Sequence, residues 1–505
     1  MPRAALLIAV VAGAVFLVAA GDRLVFANDE GVFLAGAVRI LQGETLYRDF
    51  FSNTGPGTFW MLAALLRVFG ITLESARLLR AADLAAMTGL TFWIAARLGR
   101  RSTAAFAAVL FAALALGIPN GLVINHRWEA SAFELAAVAV VVRLMERPHW
   151  SSAAAAGALA TIGAWCTPSL GLVAVVIAAW ICWHPKLRRT VPAFALGTLP
   201  AALIPAAVLI HQEALLPLLR AMVWNSARYA LANRISYGAM FESPGGLLAV
   251  GNGAQRAVTA LFLLATFLPA ILPPLAALAW LPSLRNPRSP EILLLLSGVA
   301  FIGSTYPRWD LLHLLYGFPV FAILVAIWVE RHVRRAAAVA LAAVVLIPAG
   351  VMAAKNLAGP EALETVDTPV GKIKASPADA RQLRVAVGAI RRGETLFVFP
   401  YQPMLYFLTA ARNPTRYSFV QPGMMSQEDE RAVTNQLKDS PPQWLLYAEF
   451  SPQDYLRVWP SSNPRDLRMP AIEDFIREYY IRWPGAENEG VEYRLLARRP
   501  AAPAP

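Results

Sequence analysis

Charge is scarce in this 505-residue sequence: Asp, Glu, Lys and Arg together make up 15% of it, where soluble domains carry roughly a quarter. With 57% hydrophobic residues and a mean hydropathy of +0.49, that shortage excludes an ordinary soluble protein and points to a polytopic membrane chain. Cysteine is scarcer still. Cys166 and Cys182 lie near opposite ends of apolar segments with no cluster of His beside them, which excludes a disulfide framework and a zinc site. There is no Gly-rich phosphate loop, no nucleophile elbow and no internal repeat. The net charge of +12 does not indicate nucleic acid, because the Arg residues sit in short groups between apolar runs, as in cytoplasmic loops.

What the sequence has is a succession of apolar runs. A membrane helix needs about 20 mostly apolar residues, and candidates fall at 4–20, 77–97, 102–119, 129–146, 151–166, 169–184, 190–210, 257–281, 291–306, 311–329 and 336–354. The first could be a cleaved signal peptide, but so many later spans favour a retained anchor. Pro56–Gly70 is apolar but short and interrupted by Arg67. If the N-terminus is cytoplasmic and this run does not cross, the basic groups Arg97–Arg101, Arg143–Arg147, Lys186–Arg189, Arg285–Arg288 and Arg331–Arg335 all fall inside. If it crosses, all of them flip. The orientation rule therefore predicts a juxtamembrane helix on the outer face. The fold class expected is an α-helical polytopic membrane protein of about eleven spans with outer juxtamembrane helices.

The same topology sends particular polar residues outside. Asp29, Glu30, Asp49 and Asn53 lie in the first outer loop, where an amphipathic helix is expected from about Glu30 to Leu41. The run Asn125-His126-Arg127-Trp128-Glu129 follows in the second, then a short turn at Cys166–Ser169. A long loop from His211 to Arg256 is amphipathic over Ala214–Ala232 and mixes Trp224, Arg228, Tyr229, Arg234 and Tyr237. The last turn is Tyr306-Pro307-Arg308-Trp309-Asp310, with His313 beyond it. His149, His184 and His332 read as ordinary residues of cytoplasmic loops. After Lys355 the composition becomes that of a small soluble α/β domain, which divides the chain into 1–355 and 356–505. Helices are expected at 377–392, 426–438 and 472–480, and strands at 395–399, 444–447 and 491–496.

Asp29 and Glu30 have a plain reading as a helix start, with Asn28 or Asp29 as N-cap and Glu30 favoured by the helix dipole. Outer Arg residues can simply bind lipid headgroups. A carboxylate facing several phosphate-competent cations instead suggests a reaction: it takes a proton from a nucleophile while Arg and His hold a phosphate leaving group. The carboxylate pair could also hold a divalent cation, although no full metal-ligand set is apparent. Within the spans, Arg80 and Asp83 are spaced to pair at i, i+3.

The order of these features carries a resemblance. After the first span, Asp29-Glu30 opens an amphipathic helix, followed by Gly43-Glu44-Thr45-Leu46-Tyr47-Arg48-Asp49-Phe50. A second surface helix ends in Phe69-Gly70, and Ala76-Arg77-Leu78 begins the next span. This arrangement, with the segment Tyr306–Pro319 and an outer C-terminal domain, resembles the GT-C membrane glycosyltransferases, in particular the protein O-mannosyltransferase and lipid A aminoarabinose transferase group. The resemblance implies an inverting hexosyl- or pentosyltransferase of the inner (plasma) membrane, with a polyprenyl-phosphate-linked sugar as donor and a lipid, glycan or protein acceptor. No cofactor is required. Asp29 maps onto the catalytic base of that family, and Glu30 is expected to orient the acceptor or a bound cation. Arg127, His126, Arg308 and His313 are expected to bind the donor phosphate, with Asp49, Asn53, Arg228, Arg234 and Asp310 as further lining. The sequence departs from the aminoarabinose enzymes in lacking their Lys near the second surface helix, and it has no Trp-Trp-Asp motif. Two rival readings are a lipid-linked glycan polymerase or ligase and a non-enzymatic lipid-sugar transporter or flippase, the latter disfavoured because most charges sit at span ends.

Overall fold

The computed structural model describes residues 2–25, 28–242, 245–248, 250–359, 362–484 and 489–500. A helix stands at each expected span: Pro2–Ala20, Leu73–Leu98, Arg101–Gly117, His126–Glu146, Trp150–Cys166, Gly171–Trp183, Val191–His211, Gly253–Trp280, Pro290–Ser304, Leu311–His332 and Arg335–Ala358. Among the described residues, 6 helices are long and apolar enough to cross a membrane by themselves. The others are shorter or, like His126–Glu146, carry charge. Outward faces remain apolar, with Leu7, Val18, Leu203, Ile204, Leu278 and Ile347 exposed, a surface suited to lipid rather than water.

Three of the basic segments expected to share a side, 97–101, 143–147 and 331–335, meet at one end of the bundle. Arg97 pairs with Glu146, Arg100 lies 3.5 Å from Glu330, and Arg331 lies 2.8 Å from Glu291 while donating to the Leu98 carbonyl. The expected pairing of Arg80 with Asp83 does not form as an ion pair. Arg80 instead stacks 4.0 Å over the Trp128 ring and donates from Nε to the Gly121 carbonyl.

At the other end, the helices Asn28–Leu41 and Gly57–Phe69 pack on each other through Phe33 and Phe59, ring centroids 5.0 Å apart. They approach so closely that a Cβ on Gly36 would lie 2.4 Å from the Phe59 ring, so only glycine fits. The second helix buries Phe59, Leu62 and Leu66 and leaves Val68 and Phe69 exposed at its end, as a helix lying at an interface should. Asn28 and Asp29 both lie inside the first of these helices, and the residue preceding it, Ala27, is outside the described residues.

Beyond the last long helix, β1 (Glu364–Thr368) and β2 (Gly371–Ala375) form an antiparallel hairpin. A four-stranded sheet follows in the order β3-β4-β6-β5, comprising β3 (Leu396–Phe399), β4 (Trp444–Tyr447), β5 (Tyr480–Arg482) and β6 (Arg494–Arg498). β3 and β4 are parallel, and β6 runs antiparallel to both its neighbours. Helices Pro377–Ala389, Gln427–Asp439 and Pro470–Tyr479 lie at the expected places. Ser376 and Ser426 cap the first two, each accepting a hydrogen bond from the backbone N–H three residues on. The hairpin β1–β2, the short β5 and the helix Met404–Thr409 are additions to the sequence reading.

This C-terminal region does not stand apart. Leu34, Phe50 and Phe59 of the first loop share one hydrophobic core with Phe397, Leu405 and Phe407. Gly31 sets the contact, because a Cβ there would fall 2.2 Å from the Met404 nitrogen. The hairpin is bonded to the end of the first span, Leu24 N donating to Lys374 O at 2.7 Å and Lys374 pairing with Asp22 at 2.8 Å.

Candidate active site

The first-loop helix, the start of His126–Glu146, the turn at Thr167, the wide helical turn Asn225–Tyr229 and the segment Arg308–His313 enclose a cavity of about 430 Å³. Residues of the C-terminal region, among them Tyr401 and Trp459, form its outer wall. Asp29, Asn53, His126, Arg127, Arg308, Asp310 and His313, all singled out in the sequence, line it together.

Each is held by its local fold. Asn125 caps the helix His126–Glu146: its side-chain oxygen accepts from Arg127 N at 3.0 Å, and its amide nitrogen donates to Asp29 Oδ2 at 2.9 Å. Asp29 stays exposed to the cavity. The surrounding protein raises its carboxyl above the ordinary value, opposed by the charges of His313, Arg308 and Arg127 and by the Asn125 hydrogen bond.

Thr167 Oγ1 lies 2.7 Å from His126 Nδ1 and donates to the His126 carbonyl at 3.0 Å. With its one proton spent on the carbonyl, Thr167 accepts from Nδ1–H. Asp310 organises the facing side. Its Oδ1 accepts from His313 N at 2.9 Å and lies 2.8 Å from His313 Nδ1, and its Oδ2 accepts from Arg308 Nε at 2.6 Å. Burial raises the Asp310 carboxyl, but His313 and Arg308 outweigh it and hold the group well below the usual carboxylate range. Arg308 Nη1 donates to Asn233 Oδ1 at 3.1 Å, and Arg127 Nη1 to the Ser304 carbonyl at 3.2 Å. Asn53 Nδ2 donates to Asn225 Oδ1 at 3.1 Å.

Four expected residues are elsewhere. Glu30 faces away from the cavity, fully buried, with Arg77 Nη2 donating to its Oε2 at 2.7 Å and Ile124 N to its Oε1 at 3.0 Å. It can neither orient an acceptor nor join Asp29 around a cation, since the Arg77 guanidinium already neutralises it. Asp49 is bonded to Arg48 and to Thr45 N outside the cavity. Arg228 lies 3.7 Å from Asp466, and Arg234 offers only its carbonyl, to Ser461. Neither lines the cavity, because the wide turn at Asn225–Tyr229 brings Asn225 and Tyr229 to the wall in their place. Burial, with Asp29 nearby, pushes the Tyr229 phenol up to about 12.

Asn125, Thr167, Tyr229, Tyr401 and Arg77 were not singled out as site residues in the sequence. Asn125 carried a signal, as a cap residue directly before a span. Arg77 carried one as a cation opening a span. Tyr401 carried none. Among the described residues no group of three or more His, Cys, Asp or Glu side chains is placed to hold a metal ion.

No family model matches the sequence, and no curated protein matches it. Among solved structures, ArnT from Cupriavidus metallidurans bound to undecaprenyl phosphate is similar with a TM-score of 0.55 at 14% identity, over 97% of each chain. The Archaeoglobus fulgidus oligosaccharyltransferase in its apo form is similar with a TM-score of 0.54 at 12% identity, over 95% of this chain and 72% of that one. The arabinofuranosyltransferase AftD from Mycobacteria is similar with a TM-score of 0.51 at 15% identity, over 98% of this chain but 40% of that one. The chain has a GT-C-like fold.

Proposed function

We propose that this protein is an inverting membrane glycosyltransferase that moves a sugar from a polyprenyl-phosphate-linked donor to a hydroxyl of an extracytoplasmic acceptor. The observation that carries this reading is the convergence of one open carboxylate, Asp29, with two guanidinium groups and two imidazoles on one cavity. ArnT, similar in fold, was solved with undecaprenyl phosphate, which supports a lipid phosphate as the carrier. Asp29 takes the proton of the acceptor hydroxyl. The acceptor oxygen bonds to the anomeric carbon on the face opposite the phosphate, the bond from that carbon to the phosphate oxygen breaks, and its electron pair leaves with the polyprenyl phosphate. Arg127 and Arg308, with His126 and His313, take up the charge on the departing phosphate. Asp310 holds Arg308 and His313 in place for this.

The sugar is a hexose or pentose, and the acceptor a lipid, glycan or protein. The chain lies in the plasma membrane with its N-terminus in the cytosol. Residues 1–355 form the catalytic part, and 356–505 an outer α/β domain that covers the cavity. General-base assistance is typically worth about 10²–10⁴-fold, so Asp29→Asn should stay folded and lose transfer by that factor. The assay follows polyprenyl phosphate released by the purified protein, with mass analysis of envelope glycans in cells with and without it. Transfer by Asp29→Asn near the wild-type rate overturns the reading.

A further inference from the structure

The C-terminal region holds a second cavity, of about 890 Å³, at the carboxyl ends of the parallel strands β3 and β4, where Phe399 and Tyr447 end the strands. Crevices at such strand ends are where open α/β sheets take their ligands. Its lining mixes three chemistries. Tyr447, Phe450 and Tyr455 supply aromatic surface, Phe450 and Tyr455 lying edge-on with centroids 5.9 Å apart. Arg468, Arg477, Arg482 and Arg499 supply guanidiniums, Asp454 is held in its helix cap by Ser451, and Glu449 and Glu473 supply further carboxylates. Among the described residues, neither the Glu449 and Glu473 carboxylates nor the hydroxyls of Tyr447 and Tyr455 have a hydrogen-bond partner. Burial raises the Tyr447 phenol, and Glu449 and Glu473 raise it further, so both carboxylates act on one spot.

That set selects against several ligands. Four guanidiniums interleaved with three carboxylates leave the lining close to charge balance, which favours neither a strong anion nor a plain cation. A neutral molecule with many hydroxyls and an apolar ring face satisfies all three: hydroxyls donate to carboxylates, accept from Arg468, and the ring face lies on aromatic carbon. The two cavities also share a wall. Tyr455 faces this one while Trp459, at the end of the same short helix, faces the first; Phe399 and Tyr401 divide in the same way, as do Pro422 and Met424.

We propose that this second cavity binds a carbohydrate chain, the part of a glycan acceptor that extends beyond the reacting hydroxyl; the acceptor assignment, though not the binding, rests on the glycosyltransferase reading above. Saturation-transfer NMR on the full-length protein in nanodiscs tests it with maltohexaose, mannohexaose and chitohexaose, and with an uncharged proline-rich decapeptide as comparison. At least one hexasaccharide should bind, and Glu449→Gln with Glu473→Gln should weaken it about tenfold, the loss of roughly one charged hydrogen bond. Asp29→Asn should bind it as the wild type does. No binding by any hexasaccharide, binding unchanged in the double variant, or preference for the decapeptide overturns the proposal. An active Asp29→Asn protein that still binds the sugar would overturn the reading of the first cavity alone.

Discussion

Asn125 joins two structures with one amide: its oxygen accepts from Arg127 N at 3.0 Å to cap a helix, and its nitrogen donates to Asp29 at 2.9 Å. Asn125→Asp keeps a good cap but sets a second carboxylate against the first. Like charges raise one another's pKa, so this variant should fold normally, with its activity displaced to higher pH. Asn125→Ala should lose both roles, with about 1 kcal/mol of stability from the cap. Thermal melts beside pH–rate profiles separate the two.

The raised Asp29 carboxyl fixes the sign of the pH dependence. As the proposed general base, Asp29 must be ionised, so kcat/KM should fall as pH drops through a value above the usual aspartate range. Stability runs the other way for this group. A carboxyl that holds its proton more tightly when folded favours the fold at low pH, and that contribution is lost as pH rises through the raised value. Profiles of wild type and Asp29→Asn, with the variant's melt less sensitive to pH, check both.

Glu30 and Arg77 form a fully buried ion pair. Arg77 also donates to the Leu122 carbonyl at 2.6 Å and to the Ala20 carbonyl at 3.3 Å, joining the first span, the first-loop helix and the second outer turn. Removing one partner of such a pair costs about 3–5 kcal/mol, whereas replacing both with apolar residues is much milder. Glu30→Gln or Arg77→Met alone should therefore lower the melting temperature sharply, and Glu30→Leu with Arg77→Met should recover part of it.

Arg308→Lys keeps a charge but loses the fork that reaches Asp310 and Asn233. Transfer should fall roughly ten- to a hundredfold, at about tenfold per 1.4 kcal/mol, with the melt little changed. Steady-state kinetics on released polyprenyl phosphate would show it.

Gly31→Ala places a methyl group within 2.2 Å of the Met404 backbone nitrogen. Neither backbone can give way easily, so the variant should loosen the C-terminal region from the first loop. Faster proteolysis after residue 358 and reduced transfer are expected.

The span positions were legible because apolar runs and basic clusters are local features that burial in lipid enforces. The cavity residues were legible for a related reason: the topology expected from the basic clusters sends Asp29, Arg127 and Arg308 to one face. Which polar residues on that face turn inward was not. Glu30 adjoins Asp29 in sequence, yet along a helix neighbours point about 100° apart, and a cation 47 residues on, Arg77, claimed it. Arg228 and Arg234 were drawn in by composition, but the wide turn at Asn225–Tyr229 rotates the loop past them. The hairpin β1–β2 escaped because its strands are short and polar, stabilised by bonds to Asp22 and Leu24 far away in the chain.

The helix Asn28–Leu41 is bolted twice, through Glu30 to the bundle and through Gly31 and Arg39, which donates to the Thr415 carbonyl, to the outer region. Lifting the outer region as a cover would drag the proposed base out of register with its phosphate-binding partners. For the proposed isoprenoid-linked donor this favours an entry that leaves the outer region seated, so loading the substrate and keeping the catalyst aligned are mechanically separate tasks.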